Sequence, residues 1–512
     1  MASPRILVAA HGRRSPSAPS GPGRQPLLAG TLLAAATAGA AIAQATEVPA
    51  TKLELREVLD RASGERVRVG ELTVPEDRAH PRRRALHLRV VVVPARAAEP
   101  RPDPIYFLAG GPGQAATTMV AMFARSWMRE ERDIVLVDQR GTGRSNPLRV
   151  DTPGSADDPA GYLEWMFAPE PFRAALSQLE THADLRCYTT EIAMDDLDAV
   201  RQALGHTQIN LMGGSYGTRA ALVYMRRHRE HVRAAVLDGV APIAFENPLH
   251  HARSAQDGFE TLVAECEADP RSKAAYPDLR GDLATVLERL DREPATVDIA
   301  RGEGEPPLRV RLTRAVFADA LRVLLYYVGG NRRVPLLLHQ AAAGDLAPFA
   351  SVALQSNRRL SEALAFGMLM CVTAAEDLPR IDEAEIEREC KGTFLGDTRV
   401  RAQLSIAAFW PRGAVSPGYG EPVRVDVPTL LLSGTHDPVT PPRWGAEAAS
   451  HLPNSLHIVV AGCHGVGGVP QVAEVVRAFL TEGSVQGLDC SGLDTVRMPG
   501  ILLPDGSRAG ER

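Results

Sequence analysis

Residues 209–222 read INLMGGSYGTRAAL. An apolar run ends in two glycines and a serine, and a helix-forming run follows. Gly213-Gly214-Ser215-Tyr216-Gly217 fits G-x-S-x-G, the pattern of a sharp strand-to-helix turn that holds a serine hydroxyl out at the head of a helix. The turn is strained, so glycines are needed where a side chain would clash. The competing reading of Ser215 is a cap on the helix N-terminus.

The same plan recurs along the chain. PIYFLAGGPG at 104–113, DIVLVDQRGTGRS at 133–145 and VRAAVLDGVAP at 232–242 each run from an apolar strand into a loop, as do VPTLLLSGTHDPVTPP at 427–442 and SLHIVVAGCHG at 455–465. Residues 67–95 are also strand-like, and 115–130 reads as a helix. Continuous apolar strands alternating with helices predict an α/β fold with a mostly parallel sheet covered on both faces. Ligands in such sheets sit outside the carboxyl ends of the strands, where these loops gather.

One interval breaks the rhythm. Residues 243–424 are mostly helical in pattern, as in HARSAQDGFETLVAECEAD and AVFADALRVLLYYV. That is too long for a loop and predicts a helical lid inserted between two core strands. The expected organisation is a signal peptide at 1–45, core at 46–242, lid at 243–424, core again at 425–490, and a tail at 491–512.

A serine nucleophile needs a base, and the base needs an orienting acid, in the chain order Ser, Asp, His. His464, in Gly462-Cys463-His464-Gly465, follows the last core strand and is the expected base. Asp437 and Asp238 compete as the acid, since both end core strands. Asp437 is preferred because Pro438 fixes a sharp turn beside it, and Asp238 then caps a loop. His436 reads as a bystander. Oxyanion donors are expected from the backbone N–H groups of Tyr216, next after the serine, and Gly111, in Ala109-Gly110-Gly111-Pro112-Gly113. A phosphate-binding reading of those glycines lacks the G-K-[ST] ending. The loop Asp138–Ser145 reads as a structural tie made by pairing of Asp138 and Arg140.

The ends and the composition place the chain in a cell. Arg5, Arg13, Arg14 and Arg24 precede the first acid, Glu47. The apolar run 27–42 and Ala43-Gln44-Ala45 follow, predicting export with cleavage after Ala45. The Arg13-Arg14 pair fits twin-arginine export poorly. An uncleaved anchor is the competing reading, but the run is shorter than a bilayer span. No second stretch is long enough to cross a membrane. The chain of 512 residues has a net charge of −5 and no long basic run after its first forty residues, which argues against nucleic acid. Six cysteines follow the signal, and an even number in an exported chain suggests disulfides. Local spacing favours Cys371 with Cys390 and Cys463 with Cys490, with buried free thiols as the alternative. Their spacing suits no zinc site, and neither a metal nor a cofactor is called for.

Together these motifs resemble the exported tripeptidyl-aminopeptidase and proline-iminopeptidase group of α/β-hydrolases. The likeness rests on GGPG at 110–113, DQRGTGRS at 138–145, TTEIAMDDLDAVRQALG at 189–205, GGSYGT at 213–218, GTHDPVTP at 434–441 and GCHG at 462–465. It implies an α/β-hydrolase fold with a large lid, and Ser215, Asp437 and His464 as a triad. Ala109 stands where proline iminopeptidases usually carry a histidine, which suits the tripeptidyl branch. Relatives that remove N-terminal residues hold the free amine with lid acids, and Glu376 is the expected counterpart here. The resemblance implies peptidase action near free N-termini. A carboxylesterase on small acyl or lipid esters is the alternative, because one triad serves both, and an inactive binding protein of the same fold is the remote one.

Overall fold

The computed structural model describes residues 9–11, 53–302 and 304–510. The segment 1–45 lies outside them, apart from the strand β1 (Ala9–His11). The other strands are β2 (Arg56–Leu59), β3 (Arg66–Pro75), β4 (Ala85–Val93), β5 (Ile105–Leu108), β6 (Ile134–Val137), β7 (Ile209–Gly214), β8 (Val232–Asp238), β9 (Ala295–Ile299), β10 (Leu308–Leu312), β11 (Thr429–Gly434) and β12 (Ser455–Val460). Ten of them form one sheet in the order β1-β12-β11-β8-β7-β5-β6-β4-β3-β2. From β12 to β6 every pairing is parallel, and the two outer regions pair antiparallel.

The side chains explain the division. β6 (IVLV) and β11 (TLLLSG) are buried at every position, as strands covered on both faces must be. β3 buries Val67 and Val69 in the core on one sheet face and Leu72 and Val74 in the core on the other, while Arg66 and Glu71 are exposed. Alternation along the central strands splits the apolar residues between the two faces: Tyr106 and Val135 pack on one, Ile105 and Ile134 on the other. Residues 115–130, read as one helix, are instead three short helical pieces. Ser126 interrupts them, its hydroxyl accepting the N–H of Met128 to cap the last piece.

Between β8 and β11 the chain leaves the sheet. Helices between His251–Ala268 and Thr398–Ala407 build a third apolar core of their own, apart from Phe366–Glu376, which packs in the core on one face of the sheet. A β9–β10 hairpin sits inside this insertion, which was expected to be mostly helical. Its strands alternate buried and exposed side chains. The C-terminal tail returns to the same core. Ile501, Leu503 and Ala509 are buried in it, and Leu502 donates its N–H to the Arg332 carbonyl at 2.9 Å.

The cysteine expectation is corrected: all six are unpaired. Cys371 packs in the core under the sheet, where the Trp410 indole N–H reaches its sulfur at 3.3 Å, whereas Cys390 belongs to the insertion's core. Cys490 packs against the core on the sheet's other face, and Cys463 is buried at the end of β12. Local spacing brought neither pair together because each thiol is seated in its own packing environment. Burial pushes Cys371 and Cys463 up to about 12 and Cys390 up to about 11, so these thiols are unreactive at neutral pH. Among the described residues no helix is long and apolar enough to cross a membrane.

Candidate active site

β7 ends at Gly214, and the next residue, Ser215, holds φ 55° and ψ −125°, a left-handed conformation for a residue with a side chain. The helix Tyr216–Arg227 starts at the next residue. Ser215 N–H donates to the Asp238 carbonyl at 3.0 Å, fixing the turn to β8. The serine hydroxyl makes no capping bond to the helix, so the helix-cap reading does not describe it.

The flanking glycines are required by contact. A Cβ on Gly217 would stand 2.0 Å from the Leu108 carbonyl oxygen, and one on Gly213 would stand 2.4 Å from the Gly217 oxygen. Both obstacles are backbone and cannot swing away. Gly217→Ala is therefore expected to cost about 3 kcal/mol or more. Thermal denaturation should show a clear fall in melting temperature; an unchanged melting temperature would refute this account of the turn.

The loop after β11 carries Asp437, which is fully buried. Val439 N–H at 2.8 Å, Thr440 N–H at 2.9 Å and the Thr440 hydroxyl at 2.8 Å all donate to its carboxylate. The loop after β12 carries His464, whose Nδ1 lies 2.9 Å from Asp437 Oδ2 and 3.1 Å from Oδ1. Burial works to raise the Asp437 carboxyl, but His464 and the loop donors outweigh it and hold it below the usual range. An ionised carboxylate only accepts, so Nδ1 carries the proton and Nε2 keeps its lone pair. Burial likewise works to lower the His464 imidazolium, yet the Asp437 charge and hydrogen bond raise it above its ordinary value.

Asp238 takes the other role considered for it. Its two oxygens accept the N–H groups of Val466 and Gly467, each at 2.9 Å, and so brace the loop that carries His464. His436 bonds Glu265 at 2.9 Å, and Arg332 reaches the same carboxylate at 2.7 Å, tying the strand end to the insertion. Arg140 does not pair with Asp138. It holds Asp196 through two bonds of 2.7 and 2.9 Å, while Asp138 accepts from Thr117 and from the Arg144 N–H.

Ser215, Tyr216, His464, Gly110 and Gly111 line one cavity of about 450 Å³. Gly110 lies so close that a Cβ there would be 3.2 Å from Ser215 Cβ. Among the described residues no hydrogen bond takes the N–H of Gly111 or Tyr216, and none joins Ser215 to His464. The insertion covers the cavity with side chains from the helices Arg314–Leu325, Ala347–Ala363 and Phe366–Glu376. Ala365 N–H donates to the Gly113 carbonyl at 3.0 Å, joining this cover to the glycine loop.

Glu376 does not line the cavity. It is buried behind Tyr216 and accepts from Thr190 N–H at 2.6 Å, the Thr190 hydroxyl at 2.8 Å and the Tyr419 hydroxyl. Burial pushes its carboxyl up to about 7, with Arg219 working against the rise. The wall instead carries Arg219, Asn247, His251, Arg322 and Arg399, which sequence reasoning missed. Only Arg219 carried a readable signal, standing one helical turn beyond Ser215.

Residues 103–295 match the family model of the α/β-hydrolase fold, and residues 393–491 match that of TAP-like proteins. The chain is similar to serine protease Hip1 of Mycobacterium tuberculosis, 28% identical over 81% of this chain and 85% of that protein. It is similar to the tripeptidyl aminopeptidase of Streptomyces lividans, 25% identical over 83% of each chain. The proline iminopeptidase of Xylella fastidiosa is 29% identical over 28% of this chain and 34% of its own length. With its sheet, its serine turn and these two matches, the chain has the α/β-hydrolase fold, and its C-terminal region matches that of TAP-like proteins.

Proposed function

We propose that the chain is a serine peptidase that acts near free peptide N-termini by forming an acyl-enzyme. The observation that carries the chemistry is the Asp437–His464 bond facing Ser215 across one covered cavity. Ser215 and His464 line the same cavity, with Nε2 left unprotonated by the Nδ1 bond to Asp437. His464 takes the proton as Ser215 attacks the carbonyl, and Asp437 balances the imidazolium that forms. The N–H groups of Gly111 and Tyr216 receive the developing oxyanion, each contributing about 3 kcal/mol of barrier lowering. His464 then protonates the leaving group, and water releases the acyl chain by the same steps reversed. The peptidase assignment draws on relatives named as peptidases that align with about four-fifths of the chain. Export is proposed from the sequence of residues 1–45 alone. Cleavage after Ala45 would remove β1 and leave β12 at the sheet edge.

A second reading has its own support. Among the described residues the cavity wall holds no aspartate or glutamate to receive a free ammonium, with Glu376 engaged behind it. A carboxylesterase needs no such acceptor. The test is one chromogenic leaving group presented with free and with acylated amines. N-terminal action predicts a fall in kcat/KM of about a hundredfold or more on blocking, since a lost charged anchor is costly. Equal rates on the two, with esters hydrolysed as well, would assign the esterase.

A further inference from the structure

The cavity wall holds four arginines, Arg219, Arg322, Arg359 and Arg399, and among the described residues no carboxylate. Their charges are not all balanced. Arg219 is paired: both Asp377 oxygens accept from its Nη1, at 2.8 and 2.9 Å. Arg322 and Arg399 are different, because they share one acid. Asp319 Oδ1 lies 3.0 Å from Arg322 Nε and 3.0 Å from Arg399 Nη1. Two buried guanidinium groups thus face one carboxylate, leaving one positive charge without a counter-ion at the wall.

Nearby polar atoms are also unmatched. Arg399 Nε, His251 Nδ1 and Asn247 Oδ1 are buried without a hydrogen-bond partner, and all three residues line the cavity. Among the described residues Arg322 bonds further to the Tyr326 hydroxyl alone, so both arginines keep N–H groups uncommitted out of five each. The cluster lies beside the reacting groups: the Tyr326 ring packs on His464 with centroids 5.3 Å apart, and the Tyr326 carbonyl accepts the His464 N–H at 3.1 Å. The electrostatics agree. Burial pushes the His251 imidazolium well below its ordinary value, and Arg322 and Arg399 push it further, so His251 is neutral and adds no charge of its own.

A buried, half-neutralised guanidinium pair matches a planar anion that accepts two hydrogen bonds. We propose that Arg322 and Arg399, with His251 and Asn247 beside them, bind a carboxylate of the substrate close to the scissile carbonyl. The carboxylate can come from an acidic side chain or from the α-carboxylate of a short leaving group. The inference rests on the serine-hydrolase reading and holds for peptides and esters alike.

The test uses isosteric pairs. One arm compares glutamyl with glutaminyl versions of a short fluorogenic peptide that has no other carboxylate. The second compares a leaving amino acid with its carboxamide. In at least one arm the acid should exceed its neutral isostere by about tenfold or more in kcat/KM, and the winning arm names the source. Arg399→Gln should bring that ratio to within about twofold of unity, and Arg399→Lys should restore part of it, whatever the absolute rates. Calorimetric titration of the same pairs into Ser215→Ala reads binding without turnover and should show the same order. Neutral members equal to or better than acids in both arms, and in calorimetry, would overturn the carboxylate site. Fluorophosphonate labelling of Ser215 with hydrolysis of neutral substrates tests the serine-hydrolase reading separately, so either can fail alone.

Discussion

Ser215→Ala is expected to lower kcat/KM on short peptidyl or acyl substrates by about 10⁴-fold or more while leaving the fold intact. The size follows from the chemistry. Without the hydroxyl no acyl-enzyme forms, and only the oxyanion donors and the cavity remain to assist water. The fold survives because the backbone holds the turn. Ser215 N–H still reaches Asp238, and the Thr218 N–H and hydroxyl still reach the Ser215 carbonyl. Alanine adopts the same strained φ at similar cost. The measurements are kcat/KM, fluorophosphonate labelling and melting temperature on both proteins. Labelling should vanish in the variant with little change in melting temperature. A variant that keeps full activity would remove Ser215 from the reaction. Wild-type protein that neither labels nor turns over would instead support a binding protein built on this fold.

The sheet was legible because its signals are local. Each central strand is a short run, mostly apolar, that leads into a glycine-bearing loop, and burial on both faces makes that run continuous. The serine turn was legible for the same reason, since its glycines answer to backbone contacts within a few residues or with the adjacent strand. Chain order could not separate Asp437 from Asp238, because both end parallel strands at one sheet edge. What distinguishes them is which loop atoms each carboxylate meets: His464 Nδ1 for Asp437, the Val466 and Gly467 amides for Asp238.

The insertion was read less well. The helix Phe366–Glu376 is buried on every side, so its periodicity names no face, and Glu376 could not be assigned to the cavity or away from it. The hairpin β9–β10 had readable alternation in TVDI and LRVRL, overridden by the helices on either side. Arg219, Arg322 and Arg399 come from three helices far apart in sequence and converge only through the packing of the insertion. Cysteine pairing failed for the same reason: it depends on tertiary contacts that spacing does not encode.

Asp437→Asn is expected to reduce kcat by about 10⁴-fold and to move the acid limb of the pH–rate profile downward. The carboxylate does two things for His464. It accepts the Nδ1 proton, and in the proposed reaction this leaves Nε2 free to take a proton from Ser215 and stabilises the imidazolium that forms. An asparagine amide set to keep accepting from Val439 and Thr440 turns its NH₂ toward His464 and selects the wrong tautomer, so the base is lost. The pH shift has a definite sign. Burial lowers the imidazolium and Asp437 raises it, with the net result above the ordinary histidine value. Activity requires the neutral ring, so wild-type rates should climb with pH through a limb above about 6.5. Removing the carboxylate leaves burial and the Arg322 charge unopposed, except by Asp238, and both lower the limb. The variant's residual activity should therefore persist to lower pH than that of the wild type. The same profile separates this role from a structural one, since a loosened loop would lower the rate without moving the limb downward. An Asp437→Asn enzyme with more than a tenth of the wild-type kcat and an unmoved limb would pass the orienting role to Asp238, whose carboxylate also acts to raise His464.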